Sequence, residues 1–132
     1  MTALAQLIGI PYKDHGRDLT GVDCYGMVKL YYALAHKTVL PEYKFHYASS
    51  ADQGECQSAI KVGQGDGNWV PDVVIEPGNI LLFNIAGKMC HCGVAIGAEY
   101  FLHCLPGRNS CIESLAAISW ANRLAGVYKW KA

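Results

Sequence analysis

The sequence lacks the charge patterns that mark nucleic-acid or membrane binding. Eleven Lys and Arg residues balance eleven Asp and Glu residues in a chain of 132, and charged residues make up only 17% of it. The basic residues are scattered, so neither a basic stripe nor a polybasic patch forms. No apolar run approaches the roughly 18 residues of a membrane span, and the start has no basic segment of the kind that opens a signal peptide. We therefore expect no nucleic acid and no membrane as partners, and no Sec export.

The sequence also lacks the cysteine spacing of a disulfide framework or a redox motif. No C-x-x-C occurs, and the six cysteines are spaced irregularly, at Cys24, Cys56, Cys90, Cys92, Cys104 and Cys111. With 52% hydrophobic residues, the chain can form a core without covalent bridges. Its length fits one compact domain. We expect mostly free thiols and a single domain over residues 1–132.

Cys24 begins a predicted helix. Apolar residues at helical spacing continue from it to about His36, namely Met27, Val28, Tyr31 and Ala35. Asp23 is a good N-cap because its carboxylate can accept a backbone N–H of the first turn. The positive end of the helix dipole favours an anion, so the pKa of the Cys24 thiol should be lowered there. The alternative is that Cys24 is only a small buried hydrophobic residue.

Consecutive strands dominate the second half of the predicted structure. Gly97–Glu99 is a turn between two of them, which makes a hairpin. The predicted strands are Ile80–Phe83, Cys90–Ile96, Phe101–Leu105, Cys111–Ser114 and Gly126–Trp130. Helices are predicted over residues 2–8, Ala51–Val62 and Leu115–Leu124, with a flexible turn at Gly63–Gly67. Helices first and strands afterwards predict an α+β fold with an antiparallel sheet.

A cysteine nucleophile needs a base within hydrogen-bond reach and a group that orients the base. Five histidines are candidates. His36 lies at the far end of the predicted helix, about 18 Å from Cys24. His15 lies on a glycine-flanked loop, and His46 lies in a connecting segment.

His91 and His103 fit the requirement better, because both fall on the predicted hairpin. A three-residue turn would pair Gly93 with His103, leaving room for the ring. His91 would then share a face with His103 one diagonal step away, within reach of long side chains. This register makes the two histidines a base and its orienting partner.

A zinc site is the rival interpretation of the same residues. Cys90, His91 and Cys92, with His103 and Cys104, offer zinc ligands. Strand alternation, however, directs Cys90 and Cys92 away from His91, so a tetrahedral site would need a bulge. A third interpretation is that the histidines and thiols are simply core residues. We predict no metal and no cofactor.

Several segments together resemble the NlpC/P60 cysteine peptidases. The opening, Gly9-Ile-Pro-Tyr12, Gly16 and Gly21-Val-Asp-Cys-Tyr-Gly-Met-Val28, is similar to that of the family. Pro77-Gly-Asn-Ile-Leu-Leu-Phe83 resembles its Pro-Gly-Asp-Leu segment, with Asn79 in place of Asp. The segments His91-Cys-Gly-Val-Ala-Ile-Gly97 and Phe101-Leu-His103 resemble the strands that carry its two remaining polar residues.

The resemblance implies a papain-like α+β fold, with N-terminal helices packed on an antiparallel sheet. It implies Cys24 as nucleophile, His91 as base and His103 as the orienting residue, with no cofactor. Its usual substrate is the stem peptide of peptidoglycan, cut after D-glutamate. In this reading Tyr12, Asp23 and Tyr25 contact the substrate or the oxyanion; Tyr25 replaces the usual Ser, and Asp14-His15 replaces a frequent Trp-Gly.

Within the family, the chain most resembles the phage tail proteins. The shared features are Tyr25, Leu-Pro-Glu-Tyr43, and the ending Glu113-Ser-Leu, Trp120, Arg123 and Gly126-Val-Tyr128. This branch implies a virion-tail location, phage tail-tip proteins as partners, and a role in wall penetration or tail assembly. The alternatives are a structural tail-tip subunit with weak activity and a secreted bacterial amidase toxin.

Overall fold

A six-stranded antiparallel sheet with helices on one face forms the framework of the protein. The computed structural model describes residues 3–43 and 52–131; the predicted connector with His46 lies outside them. The elements in chain order are α1 (Ala3–Gln6), β1 (Arg17–Asp18), β2 (Gly21–Val22), α2 (Cys24–Ala35), α3 (Gln53–Gly65), β3 (Trp69–Pro71), β4 (Ile80–Ile85), β5 (Lys88–Ala95), β6 (Tyr100–His103), β7 (Cys111–Ser114) and β8 (Leu124–Trp130). Among the described helices, none has the length and apolarity that a membrane crossing requires.

Helix α2 confirms the prediction that a helix begins at Cys24. Asp23 is its N-cap, and the Asp23 carboxylate accepts the Gly26 backbone N–H at 2.8 Å. Met27 and Val28 are fully buried, as the apolar spacing predicts, but Ala35 is exposed. The buried apolar face of α2 therefore ends one turn before the helix itself ends.

The sheet has the strand order β3-β8-β4-β5-β6-β7. The central strand β4 reads Ile-Leu-Leu-Phe and is buried on both faces over Ile80–Phe83. The predicted strands all form, with ends shifted by at most two residues. Strands β1, β2 and β3 were not predicted, because two or three residues are too short for an alternating pattern.

Each face of the sheet has its own apolar cluster. Helix α2 packs on one face, where Met27 and Val28 meet Ile80, Leu82 and Val94. The other face is covered by the segment between β7 and β8, whose Trp120 packs on side chains that include Leu81, Phe83, Ala95 and Phe101.

The β5–β6 hairpin has the predicted register. Val94 pairs with Leu102 and Ala95 with Phe101, and the Ile96 N–H donates to the Tyr100 carbonyl at 3.0 Å. The same register places Gly93 opposite His103. A Cβ at Gly93 would lie 3.2 Å from the His103 Cβ and 2.9 Å from the Leu102 carbonyl oxygen. The absence of a side chain at residue 93 therefore creates the space beside the His103 ring.

Two predictions about helices were wrong. Helix α3 continues to Gly65, through residues predicted to be a flexible turn. A Cβ at Gly63 would lie 2.8 Å from the Trp69 ring, so glycine is needed for that ring to pack on the helix. Residues 115–123 form successive turns instead of a helix, held by hydrogen bonds such as Trp120 N–H to the Ala117 carbonyl at 2.9 Å.

Gly93→Ala should destabilise the protein, whereas Gly97→Ala should not. The added methyl at residue 93 meets backbone that cannot move away freely, and overpacking of this kind costs about 1–3 kcal/mol. Gly97 has open space around its Cβ direction, which makes it the matched control. Urea unfolding of both variants checks this. Equal midpoints would show that the close approach at Gly93 is not a constraint.

Candidate active site

The Cys24 thiol lies at the N-terminus of α2, where a network of charges holds the preceding loop. Asp23 is almost fully buried, and its carboxylate binds the Arg17 guanidinium at 2.7 Å and the His15 backbone N–H at 3.1 Å. Arg17 also forms two hydrogen bonds of 2.8 Å with Glu42. Because the cap and its counter-ion are both fixed, the position of Cys24 is fixed too.

The pKa of the Cys24 thiol is held well below its usual value. The largest cause is a hydrogen bond from the Cys92 thiol, and a hydrogen bond and the charge of His91 add to it against the effect of burial. The pKa of Cys92 is raised, chiefly by that hydrogen bond and by burial. Cys24 is therefore the more acidic thiol of the pair, and Cys92 is its hydrogen-bond donor.

The Cys24 thiol interacts with two successive residues of β5, His91 and Cys92, and the strand pairing of β5 allows this. The pairing of β5 with β4 extends down to Lys88, whereas its pairing with β6 begins only at Val94 within the described residues. Cys24 lines the same pocket as Cys90 and Cys92, which belong to the stretch of β5 before Val94. Cys92 approaches the Cys24 thiol from the face of the sheet that α2 covers. His91 approaches the same thiol from the side where the His91 ring packs with Phe83 and Trp120.

His91 is joined to His103 as the register predicts. The two rings are linked by His91 Nε2 and His103 Nδ1 at 2.9 Å. His91 is 3% exposed. Because its Nε2 is occupied by His103, Nδ1 is the ring nitrogen left for the Cys24 thiol. The structure thus brings Cys24, His91 and His103 together in that order.

Glu113 extends the chain of contacts and was not predicted as a site residue. Its Oε2 lies 2.6 Å from His103 Nε2. His103 is fully buried, and burial, followed by the charge of His91, lowers its pKa to about 4 although Glu113 opposes this. At neutral pH His103 is therefore an uncharged ring that donates to Glu113 and accepts from His91. The sequence signal that could have identified Glu113 is strand alternation on β7. Glu113 lies two residues from Cys111 and shares a face with it, and Cys111 pairs with His103.

An aromatic enclosure surrounds the histidine pair. Trp120 lies edge-on to His103 with ring centroids 4.9 Å apart, and Phe101 lies 4.6 Å from the same ring. Phe83 and Trp120 flank His91 at 5.8 Å each. These rings shield the hydrogen bond between the two histidines from water, which strengthens that bond.

The three predicted substrate or oxyanion residues occupy different positions. Tyr12 is partly buried near Val22, with which it forms an isolated β-bridge. Asp23 is committed to the helix cap and to Arg17. Tyr25 faces inwards, donating its hydroxyl to the Pro41 carbonyl at 2.6 Å and packing on Tyr43. Their roles toward a substrate stay predictions.

The residues of the rival zinc interpretation diverge. Cys90 packs on Cys56 of α3, Cys92 contacts Cys24, and the Cys104 thiol donates to the Ile10 carbonyl at 3.8 Å. All six thiols are unbridged. A different group does converge in the described part of the chain: ligand atoms of His103, Cys111 and Glu113 lie within 4.8 Å of one another.

The remaining described histidines lie elsewhere. His36 follows the end of α2 and packs on Tyr31 and Tyr32. His15 contributes its backbone N–H to Asp23.

The arrangement of Cys24, His91 and His103 holds a thiol of lowered pKa next to an imidazole whose far nitrogen is occupied by a second imidazole. Such a set can perform nucleophilic attack with acid–base assistance.

The comparisons with known proteins concern the family and the fold of the chain. The NlpC/P60 family model matches residues 9–129. The NlpC/p60 domain of the peptidoglycan hydrolase SagA superposes with a TM-score of 0.63 at 17% identity, covering 97% of this chain and 96% of that one. No curated protein matches the chain.

Two larger proteins contain a similar fold. An NlpC/P60 family protein from Bacillus cereus has a TM-score of 0.66 at 20% identity, over 96% of this chain and 37% of that one. NlpC2 from Trichomonas vaginalis has a TM-score of 0.66 at 15% identity, over 98% and 45%. The chain therefore spans less than half the length of these two, and identities this low establish the α+β fold alone.

Cys92→Ala should raise the pKa of Cys24, whereas Cys92→Ser should raise it less. Alanine removes the donor that supports the Cys24 thiolate, while serine keeps a hydroxyl in its place. The pH dependence of iodoacetamide labelling at Cys24, followed by peptide mapping, measures the shift. Identical profiles for the native protein and both variants would show that Cys92 does not support the thiolate.

Proposed function

The chain belongs to the NlpC/P60 family, whose members are cysteine peptidases and peptidoglycan hydrolases, and we propose that it hydrolyses an amide bond in the stem peptide of peptidoglycan, after D-glutamate. The observation that carries the proposal is the contact sequence from Cys24 through His91 and His103 to Glu113. It supplies a nucleophile, a base and an orienting group in one place.

In the proposed reaction the Cys24 thiolate attacks the carbonyl carbon of the scissile amide. The protonated His91 donates its Nδ1 proton to the leaving nitrogen as the C–N bond breaks, which leaves a thioester on Cys24. His91 then accepts a proton from a water molecule whose oxygen attacks the thioester. The acid is released, and the proton on His91 restores the thiolate and imidazolium pair.

The oxyanion of the tetrahedral intermediate is proposed to bind at the start of α2. The backbone N–H groups of a helix's first turn have no acceptor within the helix, and they point toward its N-terminal end. The Cys24 N–H is one of these groups, and the Tyr12 hydroxyl is proposed as a second donor. Asp23 and Tyr25 act on the substrate indirectly in this proposal, by fixing the helix terminus.

His103 is proposed to act as the orienting residue and Glu113 as its own support. The hydrogen bond at 2.9 Å fixes the plane of the His91 ring and keeps its Nδ1 toward Cys24. Glu113 accepts from His103 Nε2, which leaves His103 Nδ1 as an acceptor for His91. This is the part that a carboxylate plays toward the base in a serine triad.

The biological setting is proposed to be a phage tail, at the host cell wall. Supporting features are Tyr25, the Leu-Pro-Glu-Tyr43 segment and the ending around Trp120, which resemble phage tail proteins. Tail-tip proteins would be the partners, in wall penetration or tail assembly. A structural tail-tip role with weak activity and a secreted amidase toxin are the alternatives.

Incubation with defined muropeptides tests the activity. We expect cleavage products whose masses place the cut after D-glutamate, and no products with Cys24→Ser, because serine at this site lacks the acidity of the thiol. Circular dichroism should show that the variant is folded.

Iodoacetamide at neutral pH should label Cys24 faster than Cys56 or Cys111. An inactive native protein whose Cys24 is the fastest-labelled thiol would favour the structural tail-tip role.

Substitutions on the hairpin separate the two histidines. His91→Ala removes the acid–base group, whose contribution is typically about 10²–10⁴-fold, and also the partner of the thiolate, so its loss should lie at or beyond the upper end. His103→Asn keeps a polar partner for His91 and should retain measurable activity, while His103→Ala should lose more. The measured quantity is kcat/KM on one muropeptide. The roles would be reversed if His103→Asn were as inactive as Cys24→Ser while His91→Ala still turned over.

A further inference from the structure

We propose that His103, Cys111 and Glu113 form a zinc-binding site, and that zinc bound there inhibits the enzyme by moving the His103 proton to Nδ1, where it blocks the imidazolium form of His91. The inhibition rests on the proposed function, whereas the binding does not. His103 is shared between the catalytic contacts and this site. Cys111 has no part in the reaction proposed above.

Strands β6 and β7 place the three ligands on one face. His103 pairs directly with Cys111 in the β6–β7 ladder, and Glu113 lies two residues further along β7. Directly paired residues share a face, as do residues two apart on a strand. The side chains converge accordingly: Cys111 Sγ lies 3.8 Å and Glu113 Oε2 lies 2.6 Å from His103 Nε2.

The donor set and its geometry suit zinc. An imidazole nitrogen, a thiolate and a carboxylate are the three protein ligand types of zinc, and a site with three protein ligands leaves the fourth position to water. The usual metal–ligand distances put the ligand atoms of a tetrahedral site about 3.4–3.6 Å apart. The three atoms here are within 4.8 Å of one another. Only Cys111 and Glu113 need to move, and both are partly exposed.

The surroundings admit a metal ion and limit its affinity. Glu113 lines a surface cleft of about 430 Å³, which gives solvent access to its carboxylate. Arg108 and Arg123 line the same cleft, and their charges oppose the approach of a cation. The expected site is therefore one that zinc occupies reversibly and that EDTA empties, unlike a structural zinc site.

Zinc at His103 Nε2 has a defined consequence for the base. Without metal, His103 carries its proton on Nε2, toward Glu113, and accepts the His91 Nε2–H at Nδ1. Zinc needs the lone pair of His103 Nε2, so the His103 proton moves to Nδ1 and points at His91 Nε2. His91 Nε2 must then accept, so the His91 imidazolium releases its Nε2 proton to solvent and keeps only the proton on Nδ1. Cys111 loses its thiol proton to solvent.

In that state His91 cannot accept a proton from Cys24 or from water at Nδ1. It also cannot become the imidazolium, because a second proton on Nε2 would face the His103 Nδ1–H. The Cys24 thiolate consequently loses its positive partner. Zinc should therefore slow both hydrolysis and the alkylation of Cys24 without touching the sulfur of Cys24.

Cobalt binding tests the site without relying on activity. Co²⁺ is added to the native protein and to the Cys24→Ser and Cys111→Ser variants, and the near-ultraviolet band of a thiolate–cobalt bond is recorded. We expect the band in the native protein and in Cys24→Ser, and its loss in Cys111→Ser. A band that disappears in Cys24→Ser and remains in Cys111→Ser would overturn the proposal, as would the absence of a band in all three.

Zinc inhibition tests the consequence. Iodoacetamide labelling of Cys24 and muropeptide hydrolysis are measured against zinc concentration, each variant relative to its own metal-free rate. The half-inhibiting concentration should be at least about tenfold higher in Cys111→Ser, because loss of a ligand costs no less than loss of an outer-shell partner. Equal zinc sensitivity of native protein and variant would overturn the proposal. Zinc-dependent labelling with no hydrolysis at all would uphold the site and refute the proposed function.

Discussion

The negative charge of one partly buried sulfur atom is the constraint on which the site depends. A thiolate moved out of water loses solvation that the protein must replace. Here the replacement comes from the Cys92 thiol, from His91 and from the N-terminal end of α2. These groups belong to α2 and β5, so the lowered pKa of Cys24 depends on the packing of the helix against the sheet.

The same requirement explains the buried ion pair below the helix terminus. Asp23 is needed as a cap, but a buried carboxylate next to Cys24 would oppose the thiolate. Arg17 lies 2.7 Å from Asp23 and neutralises it, while Glu42 holds Arg17 from the other side. The loop from Gly16 to Val22 is thereby tied to α2. We infer that its conformation matters for the chemistry of Cys24 even though its side chains lie outside the contact sequence.

The histidine pair also meets side chains from the edge of the sheet. Glu113 and Cys111 lie on β7, at the edge of the sheet, where they contact His103 from outside the proposed triad. An edge strand can therefore change the behaviour of the base without altering the core.

Local patterns in the sequence determined the elements that carry the site. The helical spacing after Cys24, the Asp23 cap and the alternation of β5 follow from residues close together in the chain. The register of the hairpin followed from the length of its turn, and with it the contact between His91 and His103. These features depend on backbone geometry over a few residues, which a sequence displays directly.

Only the tertiary structure decided which side chains from distant segments meet. Helix α2 packs across β5, which makes Cys92 a donor to Cys24, although alternation alone placed Cys92 away from His91. Trp120 closes over the histidines from a segment that the pattern predicted to be helical. Glu113 reaches His103 because β7 pairs with β6, and Gly63 stays helical because the Trp69 ring packs against it. Such contacts depend on how layers pack, and packing is not encoded in any short stretch of residues.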